Sequence, residues 1–392
     1  MKSILFVWIG ELREERGGIQ RVTSMLIDEL SQRKYICHYI ITNENFSGFY
    51  VKNKKIPENF VSIEYLPTYI ADNCIDVVID QNGVFSCDFA NIMKRLSFSK
   101  KVHYIPVFHN SPLLYEKTFN RRFVRKKIFD APLLKEKFYW TLKLLAYPIW
   151  RYHLLKGTAK IYKENYEQSG KCILLSNADI PHLANYLGID KADKCVAIPN
   201  ALSFDHIEED SIVHSKGKEI LIVSRLYNPE KRLDMALRIW KIIEAKGYID
   251  WKLKILGEGP DEKYYKFLVK KYNLKRVSFK GLQSPLSYYK KASLFMMTSA
   301  VEGWGLTLTE SMQTGTVPLA FNSYPALVDI ITDGYDGYII KNDNIEGYAK
   351  QMEWLMINED KRKKIALNCL NSAQRFTIDK IMNKWVELIE SL

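Results

Sequence analysis

The chain has 392 residues, a length that predicts two domains, each large enough to form its own hydrophobic core. Its composition, 47% hydrophobic and 26% charged, is ordinary for a soluble globular protein. The formal net charge of +12 predicts attraction to a polyanion, either anionic lipid or nucleic acid. No zinc finger, RNP-like segment or basic-helix array accompanies that charge, so the sequence does not indicate a nucleic-acid-binding protein.

The six cysteines are scattered singly and form no CxxC pair or metal-ligand spacing with histidine. This pattern is typical of a reduced, cytosolic chain. The apolar start of the chain resembles a short signal peptide, but charged residues follow without a small-residue cleavage site. We therefore interpret residues 4–9 as a first buried strand and expect a cytoplasmic protein, with peripheral attachment to the cytoplasmic face of the membrane left open.

Short apolar runs alternate with amphipathic helical patterns, as in parallel sheets built from βαβ units. In the first half we predict strands at residues 4–9, 38–42, 77–80, 103–108, 172–175 and 196–200. Gly17 and Gly18 follow the first strand and open a helix whose amino end can face a phosphate. His109 directly follows the fourth strand, at the edge where parallel sheets bind ligands.

Residues 117–150 depart from this rhythm. Eight Lys or Arg lie between Lys117 and Lys137 against two acidic residues, and a stretch rich in Trp, Tyr and Leu follows. The stretch is too short, and too interrupted by Lys143 and Pro148, to span a bilayer. Its composition is that of an interfacial membrane segment, and equally that of a helix pair with one packed and one solvated face. The sequence leaves both interpretations open.

The polar, acidic segment 203–217 is the predicted interdomain linker. Further strands are predicted at residues 219–224, 251–256, 277–280, 294–298, 317–321 and 337–340. We therefore predict an α/β protein with two Rossmann-like, doubly wound domains facing across a cleft, with ligands at the carboxyl ends of the strands. The predicted domains are an N-terminal domain (1–202), a C-terminal domain (203–376) and a C-terminal helix (377–392) for which a return to the first domain is one option.

The most informative stretch runs from Glu302 to Glu310, with the sequence EGWGLTLTE. Two glycines allow a tight turn and close approach to a ligand, and the amino end of the helix that follows favours an anion. Two carboxylates eight residues apart would be separated by roughly 12 Å along a helix, about the sugar-to-ribose distance in a nucleotide-diphospho-sugar. The pattern predicts one carboxylate on the sugar hydroxyls, the other on the ribose, and the diphosphate between them.

Arg225 and Lys231 follow the first strand of the second half, in the sequence LIVSRLYNPEKR. A diphosphate leaving group gains charge as the glycosidic bond breaks, and cations placed there stabilise the transition state more than the ground state. Arginine binds phosphate oxygens bidentately, and lysine acts as a point charge. We predict that both residues bind the diphosphate. Arg232 is predicted to point elsewhere and to be solvated.

Together these segments resemble the family 4 retaining glycosyltransferases, which have the GT-B fold. The E-x7-E motif matches Glu302 and Glu310, and the Arg-x5-Lys spacing matches Arg225 and Lys231. The resemblance is specific over residues 220–340 and weaker over residues 1–200. It implies transfer of a sugar from a nucleotide-diphospho-sugar to a glycan or lipid-linked acceptor, with retention by front-face attack, as in bacterial surface-polysaccharide assembly.

The resemblance also assigns roles to individual residues. It places Glu302 and His109 beside the reacting sugar, with His109 hydrogen-bonding a sugar hydroxyl, and it places Glu310 on the ribose. It puts Gly18 beside Arg225 and Lys231 at the diphosphate. It assigns Gly303, Trp304, Gly305 and Leu306 to the donor sugar. The loop that holds Leu282 is assigned to the base.

No cofactor and no metal are expected. The chain has no Asp-x-Asp pair to hold a divalent ion, and the resemblance implies that the basic pair and the helix end take the place of a metal. The nucleotide-sugar is a substrate, and a UDP-sugar is favoured over a GDP-sugar. Anionic membrane, through residues 117–150, is a further predicted partner.

Two other functions stay open at this point. One is a nucleotide-sugar epimerase on the same fold, against which the basic and aromatic segment argues. The other is a non-catalytic glycan- or membrane-binding subunit, against which the intact carboxylates and cations argue. The sugar, the acceptor, the linkage and the oligomeric state do not follow from the sequence.

Overall fold

The computed structural model describes residues 2–9, 17–43, 46–53, 56–57, 60–83 and 87–392. The chain forms two compact units. The first contains Met1–Pro112, Tyr152–Ala201 and Ile378–Leu392, and the second contains Leu113–Arg151 and Leu202–Thr377.

The strands and helices alternate along most of the chain. The strands are β1 (Ser3–Ile9), β2 (Ile36–Thr42), β3 (Gly48–Asn53), β4 (Ile56–Pro57), β5 (Val61–Ser62), β6 (Ile75–Asp80), β7 (His103–Phe108), β8 (Cys172–Leu174), β9 (Cys195–Ala197), β10 (Gly217–Val223), β11 (Lys252–Leu256), β12 (Val277–Phe279), β13 (Ala292–Met297), β14 (Val317–Asn322) and β15 (Tyr338–Lys341). The α-helices are α1 (Gly18–Gln32), α2 (Leu66–Asp72), α3 (Cys87–Arg95), α4 (Leu114–Thr118), α5 (Arg121–Asp130), α6 (Leu134–Leu145), α7 (Tyr147–Gln168), α8 (Ile180–Leu187), α9 (Asn228–Lys231), α10 (Leu233–Ala245), α11 (Glu262–Lys271), α12 (Leu286–Lys291), α13 (Leu306–Gln313), α14 (Leu327–Ile330), α15 (Ile345–Ile357), α16 (Glu359–Ala373) and α17 (Ile378–Glu390).

The first unit is built on one mixed sheet, in the order β4-β3-β2-β1-β6-β7-β8-β9 with β5 beside β3. Strands β2, β1, β6, β7, β8 and β9 are parallel to one another. Strand β3 is antiparallel to β2, and β4 and β5 are antiparallel to β3. The central strands are apolar on both faces because helices cover both faces of a parallel sheet. One of these helices is α17, whose Trp385 and Ile389 pack in the core formed by Ile4 and Phe6 of β1.

The second unit is built on a six-stranded parallel sheet in the order β12-β11-β10-β13-β14-β15. The chain adds strands on one side of β10 and then starts again on its other side with β13. This is the doubly wound arrangement, and the order reverses between β10 and β13. All six residues of β13 are buried, as expected for a strand covered on both faces.

Residues 113–151 belong to the second unit, whereas the sequence places them in the first domain. Charged contacts that are distant along the chain attach this segment to the second unit. Arg122 of α5 pairs with the buried Asp234 of α10, and Lys126 Nζ lies 2.7 Å from the buried Asp261. Burial lowers the pKa of Lys126, but hydrogen bonds to Asp130 and Asp261 outweigh it and raise that pKa overall.

No helix in the described part of the chain is both long enough and apolar enough to cross a bilayer.

Candidate functional site

The carboxyl ends of β10 and β13 lie side by side where the strand order of the second sheet reverses. Loops that leave two such strands diverge to opposite faces of the sheet and open a crevice, which is where open α/β sheets bind ligands. Residues 224–232 follow β10, and residues 298–305 follow β13. The two most specific motifs of the sequence therefore emerge at one crevice.

Gly257 and Gly259, which follow β11, hold the loop after β10 in place. A Cβ atom on Gly257 would lie 2.0 Å from the backbone oxygen of Ser224, and one on Gly259 would lie 2.5 Å from that of Leu226. Their φ angles are 122° and 159°, which disfavour other residues. Only glycine permits this approach, and the approach fixes the backbone on either side of Arg225.

Arg225 and Lys231 lie in different surroundings. The Arg225 side chain is 59% exposed, pairs with Glu230 at 2.6 Å and lies over the Tyr227 ring. Lys231 ends α9 with its side chain only 17% exposed, and its Nζ lies 2.6 Å from Oε1 of Glu302. The structure thus pairs the lysine that is predicted to bind the diphosphate with the carboxylate that is predicted to bind the sugar. Arg225, six residues earlier in the chain, has an accessible guanidinium.

Arg232 is buried, so the prediction that it is solvated is wrong. It has a left-handed backbone conformation, with φ at 49°, between α9 and α10. Its guanidinium donates to the backbone oxygens of Thr298 and Ser299, both at 2.8 Å, and pairs with Asp343 at 2.7 Å. The left-handed turn directs the side chain to the carboxyl end of β13, where it ties the two motif-bearing loops together.

The turn between β13 and α13 depends on Gly305. This residue caps the helix with φ at 99°, and a Cβ atom there would lie 3.0 Å from the Tyr324 hydroxyl and 3.3 Å from Leu308 Cδ1. No side chain caps α13, and its first turn contains no acidic residue. Apart from the Leu308 N–H, which donates to the Gly305 backbone oxygen at 2.8 Å, the N–H groups of the first turn and the positive end of the helix dipole are therefore available to an anion.

The two motif carboxylates differ in position and burial. Glu302 precedes α13, so the spacing of roughly 12 Å expected along a helix does not apply to the pair. Glu310 lies within the helix and is 2% exposed, and the Tyr289 hydroxyl donates to its Oε2 at 3.2 Å. The same hydroxyl lies 3.2 Å from the backbone oxygen of Thr307. No motif in the sequence points to Tyr289.

Trp304 is 2% exposed and packs edge-on against Phe376, with ring centroids 5.3 Å apart. Its indole Nε1 has no hydrogen-bond partner among the residues that the structure describes. The buried ring supports the turn from inside the second unit. The sugar contact assigned to residues 303–306 stays a prediction, and we expect the backbone rather than the Trp304 side chain to make it.

Leu282 lies at the carboxyl end of β12, three residues beyond the strand, with 64% of its surface exposed. The preceding Gly281 has φ at 69°, and its backbone oxygen accepts from the N–H of Gly257 at 2.8 Å. An exposed apolar side chain at this edge of the sheet suits the flat face of a base. Its assignment to the base stays a prediction.

The two site residues predicted in the first half lie in the first unit. Gly18 begins α1, and the preceding Gly17 is extended, with φ at −178°. Any residue adopts that conformation, so the backbone itself does not require glycine there. Glu15 and Arg16, which belong to the same sequence motif, lie outside the described residues.

His109 directly follows β7 and is 7% exposed, with Nε2 bonded to the side-chain oxygen of Gln81. Burial lowers the pKa of His109 from 6.5 to about 4, so the ring is neutral at pH 7. With the Gln81 oxygen accepting, Nε2 carries the hydrogen and Nδ1 remains an acceptor. A cavity of about 20 Å³ lined by both residues and by Asn200 has room for one water molecule.

Among the described residues, no group of three or more His, Cys, Asp or Glu side chains is arranged to hold a metal ion.

Residues 204–369 match the family model described as glycosyl transferases group 1. The chain is 28% identical over 217 residues to the amylovoran biosynthesis glycosyltransferase AmsD of Erwinia amylovora, covering 53% of this chain and 60% of that protein. It is 24% identical over 258 residues to a Campylobacter jejuni relative, covering 65% of this chain and 64% of that protein. That relative is named GalNAc-α-(1→4)-GalNAc-α-(1→3)-diNAcBac-PP-undecaprenol α-1,4-N-acetyl-D-galactosaminyltransferase. The chain thus spans less than two thirds of the length of either relative.

The solved structure of the Anabaena protein HepE in complex with UDP matches 100% of both chains, with a TM-score of 0.70 at 14% identity. The protein has the GT-B fold. This confirms the predicted fold class of two Rossmann-like domains. The group 1 match covers both segments that form the crevice of the second sheet, residues 224–232 and 298–305. The part of the chain that matches the group 1 model is therefore the part that forms this crevice.

Proposed function

We propose that the protein is a retaining, family 4-type glycosyltransferase that moves a sugar from a nucleotide-diphospho-sugar, with UDP favoured, to a glycan or lipid-linked acceptor. The observation that carries the proposal is the Lys231–Glu302 ion pair at the point where the strand order reverses, beside the uncapped amino end of α13. At one crevice, the cation and the N–H groups of the helix end suit the diphosphate of such a donor, and the carboxylate suits its sugar hydroxyls.

The diphosphate leaves with charge that increases as the glycosidic bond breaks. Lys231, Arg225 and the amino end of α13 each stabilise that charge without a proton transfer. When the donor binds, a phosphate oxygen competes with Glu302 for the Lys231 ammonium group, which releases the carboxylate for the sugar hydroxyls. Tyr289 orients Glu310 by its hydrogen bond at 3.2 Å, and the Glu310 carboxylate is assigned to the ribose.

Retention is assigned to front-face attack, in which a departing phosphate oxygen takes the proton of the acceptor hydroxyl. A neutral His109 with a pKa of about 4 is a poor base at pH 7. Its Nδ1 suits acceptance of a hydrogen bond from a sugar hydroxyl. NMR assignment of the product anomer tests this step, and inversion would contradict it.

A role in surface-polysaccharide synthesis is supported by the names of the relatives, one for amylovoran biosynthesis and one for a PP-undecaprenol glycan. A lipid-linked acceptor would require the enzyme to reach a membrane surface. The second unit offers a face for this, on the helix α6.

The helix α6 has no buried residue. Its Trp140 and Leu144 pack against Phe123 of α5 in a small cluster, while its other face exposes apolar side chains. These are Leu134, Phe138, Leu142 and Leu145, exposed by 85%, 66%, 47% and 77%. Their spacing of three or four residues places them on one side of the helix. Lys135 and Lys137 flank this apolar stripe, so we assign it to docking on anionic lipid.

The proposal is tested by incubation with UDP-, GDP- and ADP-sugars, with and without lipid-linked acceptors. We expect acceptor-dependent release of one nucleotide, and that nucleotide should raise the melting temperature most because it binds the folded state. An altered free nucleotide-sugar without transfer would identify an epimerase. Binding without turnover of any donor would identify a non-catalytic subunit.

The division of work between the carboxylates has its own test. Glu302→Gln should reduce turnover more than nucleotide affinity, since the sugar is its partner. Glu310→Gln should reduce nucleotide affinity more, since the ribose is its partner. Tyr289→Phe, which removes the hydrogen bonds to Glu310 and to the Thr307 backbone oxygen, should give a weaker version of the Glu310→Gln result. Equal losses of free-nucleotide affinity in both glutamine variants would overturn the division.

A further inference from the structure

The second unit contains a cavity of about 830 Å³ between α5 and the loops that follow β10, β13 and β15. This volume is within the range of small-molecule binding sites. The cavity is not lined by Arg225, Lys231, Glu302 or Glu310, the residues assigned to the donor. It adjoins their crevice, because Asn228, Pro229, Arg232 and Ala300 of the two crevice loops line it.

Cationic side chains dominate the polar lining of the cavity. They are Lys117, Arg122, Arg125, Lys126, Arg232 and Arg238, against the three carboxylates Asp130, Asp261 and Asp343. Six cations enclosing one space would repel each other unless anions balance them, and the carboxylates of the wall balance only part of this charge.

Three of the six cations that line the cavity form ion pairs with carboxylates. Lys126 pairs with Asp130 and Asp261, and Arg232 pairs with Asp343. Arg122 pairs with Asp234. All three lining carboxylates are thus engaged.

Lys117, Arg125 and Arg238 have no ion pair with any residue in the described ranges. They come from α4, α5 and α10, so three separate elements direct unpaired positive charge to one cavity. Such convergence is characteristic of a phosphate site, because each guanidinium offers a fork of donors to phosphate oxygens.

Apolar side chains complete the cavity and link it to the α6 face. Phe123, Tyr264 and Met235 line it, as does Phe129, which is 85% exposed at the end of α5. The next apolar exposed residues along the chain are Leu133 and Leu134, where the apolar stripe of α6 begins. A ligand with a charged phosphate and an apolar part would pair with the cations and pack against the apolar side chains of the cavity.

We propose that this cavity binds a phosphate or diphosphate group, the one that joins the lipid to the glycan in the acceptor. The assignment to the acceptor rests on the proposed function, whereas phosphate binding stands on the cavity alone. Its lining shares no residue with those assigned to the donor diphosphate, so the proposal has one protein molecule bind two phosphate-bearing ligands at adjoining sites.

The test compares two triple variants of the full-length protein. The cavity variant is Lys117→Ala/Arg125→Ala/Arg238→Ala, which removes the unpaired cations and leaves every ion pair of the wall intact. The control is Arg121→Ala/Lys127→Ala/Lys241→Ala, which removes three cations from α5 and α10 that do not line the cavity. Binding of inorganic pyrophosphate is measured by calorimetry with the donor site saturated by the nucleotide that stabilises the protein most.

We expect the cavity variant to bind pyrophosphate about tenfold more weakly or worse, with nucleotide affinity unchanged, because several charge-assisted contacts are lost together. The control should match the wild type. Equal losses in both variants would show a general effect of charge and overturn the site. Absence of pyrophosphate binding by the nucleotide-saturated wild type would overturn it as well.

Vesicles distinguish the source of the phosphate. The wild type should prefer phosphatidylcholine vesicles that contain isoprenyl diphosphate over vesicles of equal charge that contain phosphatidylglycerol, and the cavity variant should lose that preference. Pyrophosphate binding without this preference would overturn the lipid-linked assignment in favour of a free phosphate ligand. If no nucleotide-sugar is turned over but the cavity variant still loses pyrophosphate, the proposed function fails and the phosphate site stands.

Discussion

Lys231 and Glu302, the two residues that carry the proposed donor site, hold each other in place by their ion pair. Their 2.6 Å contact keeps a cation at the crevice with little exposure, 17% for each side chain. A cation that is already desolvated and positioned binds phosphate with less loss of freedom than an exposed one. Arg225, which is 59% exposed, lacks this advantage.

Lys231→Ala and Arg225→Ala should therefore weaken donor affinity and slow transfer, by roughly 1.5–3 kcal/mol for a charge-assisted contact. Lys231→Ala should have the larger effect, because it also leaves Glu302 without its partner. Calorimetry with the donor nucleotide and initial rates measure both losses. Lys241→Ala, which removes an exposed cation from α10, is the control. Wild-type affinity and turnover in both variants would show that the diphosphate lies elsewhere.

His109 makes stability depend on pH. Its folded-state pKa of about 4 lies below the ordinary value of 6.5, so between these values the unfolded chain binds a proton that the folded protein does not. The free energy of unfolding must then fall as the pH drops from 6.5 to 4, by up to about 1.4 kcal/mol per pH unit from this group.

His109→Gln, which retains a donor for the Gln81 oxygen, should make that decrease less steep. Urea unfolding at pH 6.5, 5.5 and 4.5 measures it. His153→Gln removes an exposed histidine of α7 and should keep the wild-type slope. An unchanged slope in His109→Gln would mean that the ring is protonated in the folded protein.

At the scale of elements, the parallel strands are the part of the fold that the sequence predicts best. All twelve predicted strands are present within a few residues, because strands covered on both faces are continuous apolar runs. Strands β3, β4 and β5 are missed. They pair in the antiparallel sense at the edge of the sheet, and two of them have only two residues, too few for a periodic pattern.

The site is predicted less completely than the sheets. Spacing along the chain identifies residues that follow strand ends, and the structure places Arg225, Lys231 and Glu302 at one crevice, while their roles stay predictions. Contacts between distant segments do not follow from spacing. The Tyr289–Glu310 hydrogen bond and the burial of Arg232 depend on side-chain direction, and the attachment of 113–151 to the second unit depends on ion pairs with Asp234 and Asp261.

The loop after β11 provides a test of close packing. Gly257→Ala introduces a Cβ atom 2.0 Å from the Ser224 oxygen, and overpacking of this kind typically costs about 1–3 kcal/mol. Gly247→Ala is the matched control, since Gly247 also has positive φ, at 82°, but open space around its Cβ position. In both variants alanine is placed at a positive φ angle. The difference between their free energies of unfolding therefore measures the cost of the close contact with Ser224.

We expect Gly257→Ala to be the less stable of the two and to lose donor affinity, because the loop carrying Arg225 must shift. Equal stability with wild-type affinity would mean that this contact does not position Arg225.

The apolar stripe of α6 provides a test of membrane docking. Leu134→Gln/Phe138→Gln/Leu142→Gln should abolish sedimentation with anionic vesicles and spare nucleotide binding, because these side chains are exposed and their loss leaves the folded core intact. Ile249→Gln/Phe267→Gln, which changes exposed apolar residues elsewhere in the second unit, should sediment like the wild type. Salt should release the wild type, since each nearby Lys or Arg is worth about 1 kcal/mol at such a surface.

Arg122 and Lys126 are unsuitable for a charge-reversal version of this experiment. They pair with Asp234 and Asp261, and their reversal would place like charges together against buried carboxylates. Arg121, Lys127, Lys135 and Lys137 are the residues to reverse. If the wild type never sediments with anionic vesicles, the stripe has another role and the proposed docking is wrong.

At the scale of the whole molecule, the residues assigned to ligands lie in both units. The first carries Gly18 and His109, and the second carries the cations and carboxylates assigned to the donor. Five of the basic residues lie in α5 of the second unit, and three of them line the cavity proposed to bind phosphate. The proposed phosphate-bearing ligands are one explanation for the net charge of +12.

The same distribution of charge predicts that catalysis does not depend on a divalent ion. The diphosphate carries about two negative charges, and the protein supplies the Lys231 ammonium, the Arg225 guanidinium and the amino end of α13 to meet them. Initial rates after treatment with EDTA should therefore stay close to those of the untreated enzyme. Lys231→Ala should be the form that gains most from added Mg²⁺, because the ion replaces the missing charge. Complete loss of wild-type activity on chelation, restored by Mg²⁺ or Mn²⁺, would show that these groups do not suffice and that a metal takes part.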